Sequence, residues 1–287
     1  MKMKTFKGKR FAVVIPTYGR PDRVFTHETL RKCGYTGDIY LLCDDSDKTL
    51  PEYQKRYGDK VLVFSKDDVV GKFDRMDNFN RRNVVVYARN AIYDVSREAG
   101  LKFISVLDDD YTSLQFRVTK DYGYYGCTMK NADSVFAAFL EFLDGTKCST
   151  ICFAQGGDFI GGAENKRMSI QKLPLRKMMN LYFFDVDRPV EFMGTINEDL
   201  TASVAEGIAG RLVLTTPLTS ITQKETQSNA GGLTEIYLDL GTYVKSFYSV
   251  MYAPSAVKVA SMGSTSKRLH HSVEWKYAAA KVIRATV

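Results

Sequence analysis

The chain of 287 residues holds no apolar run that reaches the roughly 18 residues a membrane span requires. Its opening MKMKTFKGKR leads into only FAVVI before Pro16, too short for the apolar core of a secretory leader. A cytoplasmic protein with no membrane partner is the expectation. Cysteine is scarce: Cys33, Cys43, Cys127, Cys148 and Cys152 are odd in number and contain no CxxC pair. That argues against both a disulfide framework and a zinc knuckle, and leaves reduced thiols. Histidine is limited to three residues, and there is no internal repeat, low-complexity tract or linker. One continuous domain over 1–287 is expected, with mobile loops around 156–180 and 220–235 where Gly and Ser collect.

What is present is apolar and basic. A hydrophobic content of 45% supports a substantial core at this length. The net charge of +7 favours a polyanionic partner, although a basic cleft for a small phosphorylated ligand would suit it equally.

Strand and helix signals alternate in the first part. RFAVVIPTY reads as a strand and turn, Pro21 to Lys32 as a helix with proline at its start, DIYLLCDD as a second strand and KVLVFS as a third. From Asn83 to Gly100 the apolar residues Val84, Ala88, Ile92, Val95 and Ala99 recur every three or four positions, forming one helical face. LKFISVLDDD is the fourth strand. Strands separated by helices predict a parallel sheet with all four strand ends on one rim. Farther on, Ala132 to Leu143 reads as a helix, STICFA as a strand and LYFFDV with RPVEFM as a hairpin or strand pair. Asn197 to Gly207 reads as a capped helix and AVKVASM as another strand.

The most informative segment is VLDDDY, Val106 to Tyr111. A short buried strand runs into three consecutive carboxylates, Asp108, Asp109 and Asp110. Their mutual repulsion would be relieved by a hard divalent cation at the carboxyl edge of the sheet, toward which the alternate residues Asp108 and Asp110 would point. A solvated acidic turn is the simpler alternative.

The strand ends taken together are more specific than any one of them. PTYGRPDR ends the first strand, CDDSDKT the second, YARN opens a helix, DDD ends the fourth strand and GTINED follows later. This ordered series resembles the inverting nucleotide-sugar glycosyltransferases of the GT-A fold. Within them it is similar to the phage-type, TET-associated enzymes that glycosylate 5-hydroxymethylpyrimidines in DNA. The resemblance implies an α/β architecture, a mostly parallel Rossmann-like sheet flanked by helices with a mixed smaller sheet in the acceptor half. Residues 1–115 would form the nucleotide-sugar half, and 116–287 the acceptor half with a C-terminal lid. It further implies that Pro16, Thr17, Tyr18 and Arg20 shape the donor pocket, and that Asp44 or Asp45 contacts the base or ribose. Asp108 and Asp109 would serve the donor and Arg89 its sugar or pyrophosphate. Asp110, with His270 or His271, would hold Mn²⁺ or Mg²⁺. Asp199 is the candidate general base and Glu198 the second choice, with ordinary helix capping as the rival role for both. His27 is expected to pack or to face solvent.

For the acceptor, Lys166, Arg167, Arg176 and Lys177 are interleaved with apolar residues before the candidate base, a composition suited to DNA. Lys72, Arg75, Arg81 and Arg82 form a second basic cluster, and DYGYYG offers aromatic faces for stacking. The resemblance implies a UDP-sugar donor, and with these basic clusters a DNA acceptor, as the expected partners. A glycan or lipid-linked acceptor, or a catalytically silent DNA-binding module on the same scaffold, are the rivals. A sugar-phosphate nucleotidyltransferase is disfavoured because no GxGTR-type loop follows the first strand.

Overall fold

The computed structural model describes residues 4–120, 123–159, 174–223, 244–262 and 268–281. In chain order the first half contains β1 (Thr5–Phe6), β2 (Lys9–Pro16), α1 (Phe25–Lys32), β3 (Asp38–Asp44), α2 (Leu50–Tyr57), β4 (Val61–Phe64), α3 (Val86–Glu98) and β5 (Phe103–Val106). The second half contains β6 (Tyr111–Lys120), β7 (Gly123–Thr128), α4 (Ala132–Thr146), β8 (Thr150–Gln155), β9 (Tyr182–Asp185), α5 (Glu198–Ile208), β10 (Val213–Gln223), α6 (Val244–Tyr252), β11 (Val257–Met262), β12 (Arg268–Val273) and α7 (Trp275–Ala278).

The four strands expected to be parallel lie in the order β4-β3-β2-β5, every pair parallel. The sheet then continues through β9, β8, β10, β6 and β7, where only β8 and β10 pair in parallel. The parallel character therefore belongs to the first half, and the mixed strands extend the same sheet. The separate small sheet is the antiparallel pair β11-β12.

The alternation of side chains along β2 explains why helices cover both faces. Ala12 and Val14 enter one core with Leu42, Ile104 and the α3 residues Tyr87, Ala91 and Ile92. Phe11, Val13 and Ile15 enter the opposite core with Leu41, Phe103, Phe183 and the α4 residues Phe136 and Leu140. A strand buried on both faces reads as the continuous apolar run seen here.

Three local expectations are corrected. Helix α1 starts at Phe25; Pro21 lies in a preceding turn whose carbonyl accepts from Arg56 Nη1 at 3.0 Å. RPVEFM forms no strand, because β9 already has β5 on one edge and β8 on the other. The Asn90 side chain satisfies that segment's backbone instead, donating to Phe192 O at 2.8 Å and accepting from Phe192 N at 3.0 Å. The mobile loop expected from 220 overlaps β10, Val213–Gln223, a strand absent from the sequence reading that carries Pro217. The structure accommodates it where the register with β8 jumps between Thr216 and Ser220.

Helix α5 meets α7 at Gly207, where a Cβ would lie 1.9 Å from the Ala278 carbonyl oxygen. Gly207→Ala is expected to destabilise the chain by about 1–3 kcal/mol through forced backbone separation. Gly145→Ala, which meets nothing within 4 Å on α4, should be neutral or slightly stabilising. Chemical denaturation of both variants checks the contrast; equal stabilities would remove the packing argument. Among the described residues no helix is long and apolar enough to cross a membrane.

Candidate active site

Strand order reverses beside β2, because the chain moves outward through β3 and β4 and returns to β5 on the other flank. Carboxyl ends at such a reversal diverge and leave a crevice. Pro16 closes β2 opposite Leu42, and buried Thr17 follows. Thr17 Oγ1 donates to Asp109 Oδ2 at 2.7 Å and lies 2.8 Å from the Tyr53 hydroxyl. Arg20 Nε donates to the same Asp109 oxygen at 2.7 Å, and Arg20 N donates to Tyr53 OH at 3.0 Å. Asp109 is thus a buried clamp between the ends of β2 and β5. Burial raises its pKa despite the opposing Arg20 and Thr17.

The β3 end carries two acids with different surroundings. Asp44 is buried, ion-pairs with Lys66, and accepts from Ser46 N at 2.9 Å. Asp45 is exposed. Burial, then Arg82, lowers the Lys66 pKa to about 8. The same ammonium lies 5.0 Å from the centroid of the Tyr18 ring, which is 47% exposed. Asp47, absent from the expected set, fixes the Tyr18 loop: its Oδ2 accepts from Gly19 N at 2.7 Å. Gly19 has φ +70°, a conformation costly for other residues. The third acid of DDSDKT was the available signal.

At the end of β5 the three aspartates divide by alternation, as the spacing predicted. Asp109 points inward, while Asp108 and Asp110 share the more open side. Thr26 on α1 fixes the turn: its Oγ1 donates to Asp108 O at 2.5 Å, and its N donates to Asp109 O at 3.1 Å. Asp108 Oδ1 accepts from Arg89 Nη2 at 2.6 Å. Arg89 sits 4.9 Å from the Tyr182 ring centroid, with Nε and Nη1 buried and lacking acceptors. Burial opposes its charge, but Asp108, Tyr182 and Glu198 outweigh that cost and raise its pKa. Asp110 receives no side-chain hydrogen bond among the described residues. Burial first, then Asp108 and Asp109, push it up to about 7.

The acid pair at the start of α5 follows Asn197, which adopts φ +60° and donates to Ser249 Oγ at 2.7 Å. Asp199 Oδ2 accepts from Lys177 Nζ at 2.6 Å, and its Oδ1 from Leu200 N at 2.7 Å. Burial opposes ionisation of Asp199, but Lys177 prevails and its pKa is lowered. Glu198 accepts from no cation among the described residues, and burial followed by Asp199 outweighs nearby Arg89 and raises it to about 7. The two neighbours are pushed in opposite directions, the arrangement by which one carboxylate stays charged while the other holds a proton.

Other expected residues are placed differently from the sequence reading. Arg176 is internal, paired with Asp158, and Lys177 is committed to Asp199 rather than to an open basic surface. Lys166 and Arg167 lie outside the described residues, as do Asp121 and Tyr122 of DYGYYG. His271 faces Asn197 Nδ2 at 3.4 Å; burial, then His270, lowers it to about 3, so it is neutral. His270 Nδ1 donates to the His271 carbonyl at 2.8 Å. Among the described residues no three acidic, histidine or cysteine side chains gather around one point, so Asp110 and these histidines do not form a ready cage. His27 packs edge-on against Tyr57 at 5.5 Å.

The family model for TET-associated glycosyltransferases matches residues 11–232, from β2 through the aspartate turn and the Glu198–Asp199 pair to just beyond β10. The chain belongs to that family. This TET-associated glycosyltransferase is also similar to solved structures. One is a mannosyltransferase from Pyrobaculum calidifontis in complex with GDP-mannose and Mn²⁺, 13% identical, covering 88% of this chain and 76% of the other at TM-score 0.46. Another is glucosyl-3-phosphoglycerate synthase from Mycobacterium tuberculosis in complex with Mn²⁺, UDP and phosphoglyceric acid, 10% identical, covering 93% and 87% at TM-score 0.44. No curated protein sequence matches it.

Proposed function

We propose that this glycosyltransferase moves a sugar from a nucleotide-sugar donor, with UDP favoured, to the hydroxyl of a 5-hydroxymethylpyrimidine in DNA, inverting the anomeric carbon. The reading is carried by the three-way division at the end of β5: Asp109 is used internally, Asp108 holds Arg89, and Asp110 is left with an open carboxylate. Two like-charged neighbours, and no side-chain donor among the described residues, make Asp110 a fitting ligand for a hard cation. A three-residue cage is unnecessary, because Mg²⁺-type ions are commonly held by one or two carboxylates together with substrate phosphates and water. When bound, Mn²⁺ or Mg²⁺ would neutralise charge developing on the diphosphate leaving group.

The chain's own groups supply the rest. Exposed Tyr18, with Lys66 and Asp44 beside it, offers a face on which a planar base can stack. Arg89 has unpaired N–H groups buried beside Asp108, suited to an anionic sugar-diphosphate region. Asp199, kept ionised by Lys177, would take the proton of the acceptor hydroxyl, with Glu198, pushed up to about 7 by burial and by Asp199, beside it. His270 or His271 joining the cation as the C-terminal segment closes is part of the same proposal, as are Lys166 and Arg167 as DNA contacts.

A hydrolysis screen over UDP-, GDP- and other nucleotide-sugars, with Mn²⁺, Mg²⁺ or chelator, tests the donor half. Turnover of a UDP-sugar that chelation abolishes is the expected result. Activity indifferent to chelation would remove the assignment of Asp110.

A further inference from the structure

Phe79 is 65% exposed, yet the loop that carries it is tied down on both sides. This loop runs from the end of β4 to α3 and therefore stands on the same rim as the aspartates. Its Asp74 and Arg75 carbonyls accept from Gly194 N at 2.9 Å and Thr195 N at 3.2 Å, just ahead of Glu198 and Asp199. Asp77 turns inward. It accepts from the Thr195 hydroxyl, from Tyr248 OH at 2.6 Å and from Phe79 N at 3.0 Å. Met76 and Asn80, neither of them glycine, adopt φ +62° and +52°. Such strain persists only where surrounding contacts enforce it, and it is a pointer to function. Here its effect is to hold a phenyl ring in solvent.

Isolated surface aromatics are ordinary. This one differs in its fixed backbone and in its charged surroundings. Between Arg75 and Arg82 the one acid is Asp77, whose carboxylate is used internally. Arg81 lies 4.9 Å from the Phe79 ring centroid, and Arg75 donates to the next residue, Asn80, at 3.0 Å, so the loop that carries the ring is basic. A rigid apolar side chain on a basic loop matches a nucleic acid, in which phosphates lie on either side of stacked bases.

We propose that Phe79 is a wedge that enters the base stack of duplex DNA and occupies the gap left when the acceptor base is extruded toward Glu198 and Asp199, with Arg75 and Arg81 meeting the adjoining phosphates; Arg82 is already paired with Asp67 at 2.8 Å. This rests on the reading of DNA as acceptor. Glu198 is buried and Asp199 only partly exposed beside it, so the proposal brings the hydroxymethyl group to them by extrusion, whose unstacking must be compensated.

The test compares one oligonucleotide bearing 5-hydroxymethylcytosine, single-stranded and fully paired, as acceptor for the wild type, Phe79→Ala and Phe79→Tyr. Phe79→Ala should lower kcat/KM on the duplex on the order of tenfold or more, lower it roughly threefold or less on the single strand, and be rescued by Phe79→Tyr. In parallel, 2-aminopurine next to the target base should brighten on binding wild type without donor, and not on binding Phe79→Ala. Equal losses on both forms, no loss on either, or the same brightening with both proteins would overturn the wedge while leaving DNA as the acceptor. Failure of the wild type to modify either form would overturn the acceptor reading and the wedge together.

Discussion

Asp110→Asn should lower sugar transfer at least about a hundredfold and abolish the Mn²⁺ dependence of UDP affinity, while making the unliganded protein more stable. The two effects share one cause. Asp110 is pushed up to about 7 by burial and by Asp108 and Asp109, so the folded chain binds a proton there that the unfolded chain, titrating near 4, has already lost. Between those values stability falls as pH rises, because the native state binds more protons than the unfolded state. Asparagine removes the repulsion. At pH 8 the expected gain is roughly 1–2 kcal/mol after allowance for partial exposure, a few degrees in Tm, and the acidic end of the pH range should show no gain. Added Mn²⁺ should stabilise the wild type and leave the variant unmoved. Calorimetry with UDP and Mn²⁺, alongside thermal melts at two pH values, checks both halves. A variant with unchanged metal-dependent UDP affinity would contradict the assignment.

Asp199→Asn should reduce kcat on the order of a hundredfold or more with little change in donor affinity, since the amide keeps the shape but cannot accept the proton. The choice between Asp199 and Glu198 can be read from pH. Lys177 holds Asp199 below the ordinary carboxylate range, so a base at Asp199 stays competent as pH falls well below neutral. Glu198, raised to about 7 by burial and by Asp199, would instead give an activity that falls as pH drops through neutrality. The titratable and charged groups facing Asp199 include Lys177, Glu198, Arg89, Tyr182 and His271, and of these Lys177 donates directly to it. Lys177→Met should therefore move the acidic limb of kcat/KM upward. A wild-type limb near 7 that ignores this change would transfer the role to Glu198. Retention of the donor's anomeric configuration would contradict a single in-line displacement.

Residues whose role follows from local pattern were legible in the sequence. The alternation along FAVVI and FISV, buried on both faces, and the turn after each strand fix the rim on which Thr17, Asp44 and Asp108–Asp110 stand. Residues whose role depends on a partner far along the chain were not. Nothing near Lys177 shows that its charge is committed to Asp199, 22 positions later. Asp47 reads as a turn cap until the fold brings Gly19 N to it, and Asp77 is an unremarkable loop acid until Thr195 and Tyr248 converge on it. Strand β10 escaped the sequence reading, and it carries Pro217 within the irregularity by which its register on β8 jumps between Thr216 and Ser220.

The most direct test of the central claim is the mass of a duplex bearing 5-hydroxymethylcytosine after incubation with the protein, a UDP-sugar and Mn²⁺. Gain of one sugar on the modified strand, absent with chelator and absent on unmodified duplex, is the result expected of a metal-dependent DNA glycosyltransferase. Donor turnover with no mass gained by any DNA would contradict it.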